Sequence, residues 1–257
     1  MSEELKFQID GSVGLITFNR PQARNALTFD MYESLARLCE SIHGQSIQIS
    51  SLIITGAGEK AFAAGTDIAQ FQNFRSEEDA LDYERTMDRV LGSLESLPIP
   101  TIAAIRGACT GGGAAIAACC DIRIASTDLK FGFPIARTLG NCLSVGNLSR
   151  LVELLGASRT REILMTSRLI TIDEALAIAL VSEVADEPLH RARELAAMLG
   201  SQAPLTIAAS KEGLRRLREH AANVPGDDLI VKCYTSEDFR EGMAAFLAKR
   251  SPQWKGV

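Results

Sequence analysis

The chain has 257 residues, 46% of them hydrophobic and 23% charged, with a formal net charge of −5. That is enough apolar material for one large α/β body, alone or with a helical appendage. The acidic balance leaves no footprint for nucleic acid or an anionic membrane, although a local basic pocket for a phosphorylated ligand is compatible with it.

Met1-Ser2-Glu3-Glu4-Leu5-Lys6 has neither a basic stretch nor an apolar run of the kind that opens a targeting segment. No later apolar run reaches bilayer-spanning length, so the expected compartment is cytoplasmic, with no membrane partner. Alternating apolar residues predict strands over 5–9 and 13–18, then a helix over 28–42 and a strand over 51–55. The following Gly56 to Ala61 fits the dinucleotide fingerprint G-x-G-x-x-A. That fingerprint needs several helical turns, which Gly65 interrupts, and an acid ending the next strand, which is absent, so the match is read as coincidence. A short helix is expected to open at Thr66-Asp67, followed by a helix over 77–94 and a strand over 101–105. Gly111-Gly112-Gly113 then leads into a helix over 113–119 and a strand over 122–125.

From about residue 140 the pattern is mainly helical, over 148–155, 159–166, 171–180, 187–199, 204–222 and 236–249. Thr171 with Glu174 reads as a helix cap, and Pro204 suits a first helical turn. Strands alternating with helices, then a run of helices, predict an α/β core over 1–195 and a helical C-terminal subdomain over 196–257. Six cysteines (Cys39, Cys109, Cys119, Cys120, Cys142, Cys233) lie at no metal-ligand spacing, so no metal site is expected and buried reduced thiols are.

Both glycine clusters follow a strand and precede a helix, where backbone N–H groups have no intrahelical acceptor. The Thr66 N–H and a donor from the triple glycine can therefore converge on one oxygen, which is the geometry of an oxyanion hole. An isolated glycine cluster would be read as a tight turn; the pair is what points to a site.

The residues in order are Ile16-Thr17-Phe18-Asn19-Arg20-Pro21, Asn25-Ala26-Leu27, Lys60-Ala61-Phe62-Ala63-Ala64-Gly65-Thr66-Asp67-Ile68, Pro100-Thr101-Ile102-Ala103-Ala104-Ile105, the triple glycine and Cys120-Asp121-Ile122-Arg123. Ala177-Ile178-Ala179-Leu180-Val181-Ser182-Glu183-Val184 and Ser236-Glu237-Asp238-Phe239-Arg240-Glu241-Gly242 follow. In this order and spacing they resemble the crotonase superfamily, the enoyl-CoA hydratase/isomerase family, over nearly the whole chain. The resemblance implies a crotonase-like spiral of ββα units with a helical C-terminal trimerisation region that also covers the site, and a homotrimer or dimer of trimers. It implies an acyl-CoA substrate, with coenzyme A as part of the substrate and no prosthetic group. By motif position, Thr66 and Gly112 form the oxyanion hole, and Ala64, Asp67 and Ile68 lie along the pantetheine and adenine path. Arg24 stands where the family often places a cation near the CoA phosphates, or is a solvated surface charge. The tail around Trp254 packs the last helix, in a region that can approach a neighbouring subunit's CoA.

The chain departs from the family's hydration pattern at both glutamates that hold and activate water. Ala115 stands at the first position and Ile135, in Phe131-Gly132-Phe133-Pro134-Ile135, at the second. The next stretch, Ile135 to Ser144, also lacks a carboxylate, and its polar candidates are Arg137, Asn141, Cys142 and Ser144; Arg137 can bind a carboxylate on the acyl group or serve a structural ion pair, and Cys142 can be a nucleophile or proton donor but by residue type more readily fills core. Asp67 reads as the cap of the helix behind Thr66, and His43, His190 and His220 fall on surface helices remote from the glycine loops. The expectation is an acyl-CoA enzyme that stabilises an enolate without two-glutamate hydration. The alternatives are a non-catalytic acyl-CoA binder or scaffold and, resting on Gly56 to Ala61 alone, a nicotinamide oxidoreductase.

Overall fold

A computed structural model describes residues 3–222 and 226–255. The elements in chain order are β1 (Leu5–Asp10), β2 (Val13–Phe18), α1 (Phe29–His43), β3 (Ser51–Gly56), β4 (Ala61–Ala63), α2 (Glu77–Glu95), β5 (Thr101–Ile105), β6 (Ala108–Thr110), α3 (Gly112–Cys119), β7 (Ile122–Ala125) and β8 (Lys130–Gly132). They continue as α4 (Ile135–Thr138), α5 (Val145–Leu155), α6 (Ala157–Thr166), β9 (Ile170–Thr171), α7 (Ile172–Ala177), β10 (Glu183–Val184), α8 (Pro188–Leu199), α9 (Pro204–Ala222), α10 (Asp227–Tyr234) and α11 (Glu237–Leu247). A 3-10 helix, Ile68–Asn73, lies between β4 and α2.

Two sheets result. The larger runs β1-β2-β3-β5-β7-β10 and the smaller β4-β6-β8-β9. Among the described strands, β1–β2 and β8–β9 pair antiparallel and the other pairs are parallel. Three successive units, β3-β4-α2, β5-β6-α3 and β7-β8-α4, each give their first strand to the large sheet and their second to the small one. This is the expected spiral of ββα units.

Alternation along the strands divides the core. Leu52, Ile54, Ala103 and Ile105 face the main core with Met31, Leu35, Val90 and Leu94 of α1 and α2. Ile53, Ile102 and Ala104 face the other way, onto Ala192 and Ala196 of α8. Because both faces are covered, the central strands read as continuous apolar runs. The boundary expected at 195/196 falls inside α8, whose two small residues are buried together against the large sheet, so the helix packs as one piece of the core.

The five predicted strands are present to within a residue, but the small sheet is not among the expectations. Its strands are two or three residues long, too short to show a period of two. Thr171 occupies the expected N-cap without its side chain accepting a bond. α10 was likewise not predicted.

The N-terminal motif works as a brace. Asn25 is wholly buried; it accepts from Arg20 N–H (2.9 Å), and its Nδ2 donates to the carbonyls of Ala57 (2.9 Å) and Ala61 (2.8 Å). The Ala64 N–H then donates to the Arg24 carbonyl at 3.0 Å. In Cys120-Asp121-Ile122-Arg123, the Arg123 guanidinium donates to the carbonyls of Ala117 and Cys120 at the C-terminal end of α3 and to that of Leu180. Asp121 accepts from Thr101 N (2.7 Å) and Lys211 Nζ (2.5 Å). Both motifs hold up the glycine loops from behind.

Candidate active site

β4 and β6 are parallel neighbours, so the loops leaving their C-terminal ends emerge side by side. The first carries Ala64 to Asp67. Here Leu27 N–H donates to Gly65 O and Asp67 N–H to Leu27 O, both at 2.8 Å, and this bridge passes over Thr66. Among the described residues no backbone acceptor takes the Thr66 N–H. The second loop is Gly111-Gly112, where α3 begins. Gly112 is the first helical residue, so its N–H has no acceptor within the helix.

The three glycines are needed for three different reasons. Gly111 has φ +52° with ψ −122°, a conformation that side chains resist. A Cβ on Gly112 would fall 1.9 Å from Tyr32 Oη, and one on Gly113 2.4 Å from the Ala63 carbonyl. The two loops touch, since a Cβ on Gly65 would lie 4.0 Å from Gly112 N.

In front of them is a cavity of about 110 Å³. Thr66, Gly112, Ala64 and Ile68 line it, and so do Ala115 and Ile135. The two positions at which the resemblance expects glutamates thus present apolar side chains to the cavity. The remaining wall is mostly apolar, with Phe71, Tyr83, Met87, Leu91, Phe133, Leu139 and Leu143.

Thr66 Oγ1 is 2.8 Å from Tyr32 Oη and 3.0 Å from Tyr83 Oη, a hydroxyl cluster directly beside the hole. Burial pushes both phenols up, so they remain protonated donors. Further along, Asn141 Nδ2 donates to Tyr234 Oη (3.1 Å), and Tyr234 donates to Glu84 Oε1 (2.7 Å). Glu84 is 5% exposed, lines the cavity and forms no ion pair among the described residues. Burial moves its pKa up to about 7, against the hydrogen bonds from Tyr234 and the Ser144 backbone, with Asp88 adding to the rise.

Of the other expected residues, Asp67 caps the 3-10 helix through Ala69 N (3.2 Å) and pairs with Arg20 (2.9 Å). Arg24 is exposed, on a left-handed backbone beside Ala64, with no acidic partner among the described residues. Arg137 is exposed on α4 and outside the cavity lining. Cys142 faces the Leu229 carbonyl (3.5 Å) and hydrogen-bonds Cys233 of α10, again outside the lining. His43 and His190 are exposed, and the His220 side chain lies outside the described residues. Trp254 packs over Gly140, where a Cβ would meet its ring at 3.4 Å. After Gly56 the chain turns into β4 instead of a helix, so no dinucleotide-binding βα turn forms.

Sequence reasoning missed Tyr32, Tyr83, Glu84 and Tyr234; of its polar candidates after Ile135, Asn141 is the one that lines the cavity. Glu84 had a signal: Ala80, Glu84, Met87 and Leu91 recur at helical spacing on the buried face of α2, so a carboxylate sits inside an apolar stripe.

Comparison with known proteins agrees with this architecture. The model of the enoyl-CoA hydratase/isomerase family matches residues 8–257. A short-chain-enoyl-CoA hydratase of Clostridium acetobutylicum is 35% identical over 246 residues, covering 94% of this chain and 93% of that protein. The crystal structure of an enoyl-CoA hydratase/carnithine racemase from Magnetospirillum magneticum superimposes with a TM-score of 0.80 at 33% identity, covering 100% of this chain and 97% of the other. A methylmalonyl-CoA decarboxylase in complex with 2-nitronate-propionyl-CoA superimposes with a TM-score of 0.87 at 26% identity, over 100% of both chains.

Proposed function

The chain belongs to the enoyl-CoA hydratase/isomerase family and has the crotonase fold, and from that premise we propose that it binds an acyl-CoA thioester with its carbonyl oxygen between the N–H groups of Thr66 and Gly112. The observation that carries this reading is the pair of unpaired backbone donors on two touching loops at the mouth of an apolar cavity. Donors fixed in this way favour the charge that develops on a thioester oxygen as an enolate forms, and one of them is worth roughly 10²–10³ in rate. Coenzyme A is then part of the substrate, and the chemistry needs no prosthetic group.

In this reading Ala64, Asp67 and Ile68 lie along the pantetheine and adenine path, and the exposed Arg24 offers a cation to the CoA phosphates. Two-glutamate hydration is not the reaction in this reading, because Ala115 and Ile135 carry no proton-transferring group. That the C-terminal helices cover the site is supported by Tyr234 of α10 and Phe239 of α11, which meet the lining residue Phe71 edge to face. Assembly as a homotrimer or dimer of trimers is supported by Leu205, Leu214 and Leu217 of α9, exposed at 84%, 62% and 73%.

A second reading, a non-catalytic acyl-CoA binder, rests on the same two apolar replacements. Calorimetry with butyryl-CoA and with free CoA, followed by a turnover screen on crotonyl-, malonyl- and benzoyl-CoA, separates the two. Tight binding with turnover of one class supports the enzyme. Binding without any turnover leaves the binder, and absence of binding refutes both.

A further inference from the structure

Among the described residues, Glu84 is the one ionisable carboxyl in the cavity lining. Other half-buried acids of this chain sit against cations: Glu95 against Arg150 and Arg218, Asp67 against Arg20. Glu84 has none among the described residues. A carboxylate kept out of water without a cation is costly, and a bond that merely tied α2 to α10 could be made by a neutral amide. Its surroundings also fix its hydrogen-bonding sense. Asn141 Nδ2 donates to Tyr234 Oη, which commits the Tyr234 proton to Glu84 Oε1 and makes that oxygen an acceptor. The Ser144 backbone N–H also donates to the Glu84 carboxyl, so both partners favour the carboxylate, the form that can take up a proton. Glu84 is electrostatically coupled to Tyr32 and Tyr83, the two phenols whose hydroxyls bond Thr66 Oγ1.

Resting on the reading that the thioester oxygen sits between Thr66 and Gly112, we propose that Glu84 is the proton-transferring group of the site, acting at the α-carbon of an uncharged acyl thioester. As a carboxylate it takes the α-proton: the Cα–H bond breaks, an O–H bond forms on Glu84, and the released electron pair makes the enolate whose oxygen the two N–H groups hold. As a carboxylic acid it returns the proton to carbon, so no co-reactant is consumed. A carboxyl tuned close to neutrality serves both directions. The substrate class follows from the wall. Among the described residues it holds no charged side chain besides Glu84, and Phe71, Met87, Phe133, Leu139 and Leu143 surround an apolar chain or ring. An acyl group bearing its own carboxylate would meet Glu84 and no cation.

The titration of Glu84 is set by the groups facing it: Tyr32 from α1, Tyr83 and Asp88 from its own helix, Tyr234 from α10, and Asn141, Cys142 and the Ser144 backbone from the segment between α4 and α5. The test is exchange of the α-hydrogens of butyryl-CoA in deuterium oxide, read by mass spectrometry on the full-length protein, with binding measured in parallel. Wild type should exchange, with a rate that falls about tenfold per unit below an inflection near neutral pH and levels above it. Glu84→Gln should lose about 10²-fold or more in exchange while binding butyryl-CoA within about twofold of wild type. Tyr234→Phe removes a bond that favours the carboxylate, so its inflection should move to higher pH, which a purely structural Glu84 would not produce; this variant decides the matter if Glu84→Gln does not fold. Exchange by Glu84→Gln at the wild-type rate overturns the proposal. So does bound butyryl-CoA, with a polarised carbonyl, that wild type does not exchange; in both cases the thioester site itself stands. Failure of butyryl-CoA to bind refutes the thioester site first, and this role for Glu84 with it.

Discussion

Replacing Gly112 by alanine tests the packing that shapes the hole. The new Cβ would lie 1.9 Å from Tyr32 Oη and 3.2 Å from Tyr32 Cζ and Thr66 Oγ1. Tyr32 is 1% exposed and packed in the main core, and the space beside it is the cavity itself, so its ring can yield only into the substrate's room. To restore an ordinary contact the α3 N-terminus or the ring must shift by more than about 1 Å, and overpacking of this kind costs about 1–3 kcal/mol. A displacement of that size in a positioning group can cost about 10²-fold in rate. Tyr32→Phe alone loses one hydroxyl bond, about 1 kcal/mol, and leaves Thr66 Oγ1 its bond to Tyr83. In the double variant the 1.9 Å clash is gone and the nearest contacts are the two at 3.2 Å. Tyr32→Phe should therefore destabilise wild type yet stabilise Gly112→Ala. Urea unfolding of the four proteins, with butyryl-CoA affinity alongside, reads the coupling. A Gly112→Ala protein as stable as wild type, or strictly additive effects, would refute the argument.

Further expectations concern charge and thiols. Because burial raises the Glu84 pKa from 4.5 to about 7, the folded state binds the proton more tightly, and stability should fall as pH rises from about 4.5 to 7. At about 1.36 kcal/mol per unit the loss is about 3 kcal/mol, and Glu84→Gln should lack this part of the slope in urea melts; equal slopes would contradict the burial argument. Arg24→Glu should weaken butyryl-CoA binding several-fold at low salt and less at high salt, with binding to a pantetheine thioester unchanged; calorimetry at two ionic strengths checks this. Iodoacetamide at pH 8 should label Cys233 before the other cysteines, because Cys142 bonds its sulfur and Lys232 lies near, whereas burial pushes up Cys39, Cys109, Cys119 and Cys120. Peptide mapping that finds Cys39 or Cys109 labelled first would refute it.

All of the large sheet but its two-residue edge strand β10, and the long helices, were legible because their apolar patterns run for four residues or more. The small sheet was hidden by its two- and three-residue strands, although it is what brings the two glycine loops together. Thr66 and a donor from the triple glycine follow from local backbone logic, a glycine with a strand behind and a helix ahead, whereas the choice of Gly112 comes from the family resemblance. The side chains around them come from α1, α2 and α10, so their convergence is a tertiary fact. Tyr32 and Tyr83 read as ordinary aromatic core residues, and Tyr234 lay on a helix that was not predicted. Glu84 could have been found as a charge in the apolar stripe of α2. Arg137 illustrates the reverse case, since its place in the sequence next to Ile135 did not bring its side chain into the cavity.

The central claim is that the thioester carbonyl is polarised between the N–H groups of Thr66 and Gly112. The carbonyl stretch of butyryl-CoA labelled with carbon-13 at the thioester carbon, measured by infrared difference spectroscopy on the bound complex, tests it directly. Wild type and Thr66→Val, which keeps the N–H and loses only Oγ1, should both show the band at lower frequency than in free solution. Thr66→Pro, which removes the N–H, should lose most of that shift. A bound band at the free-solution frequency in wild type, or an unchanged shift in Thr66→Pro, would contradict the account.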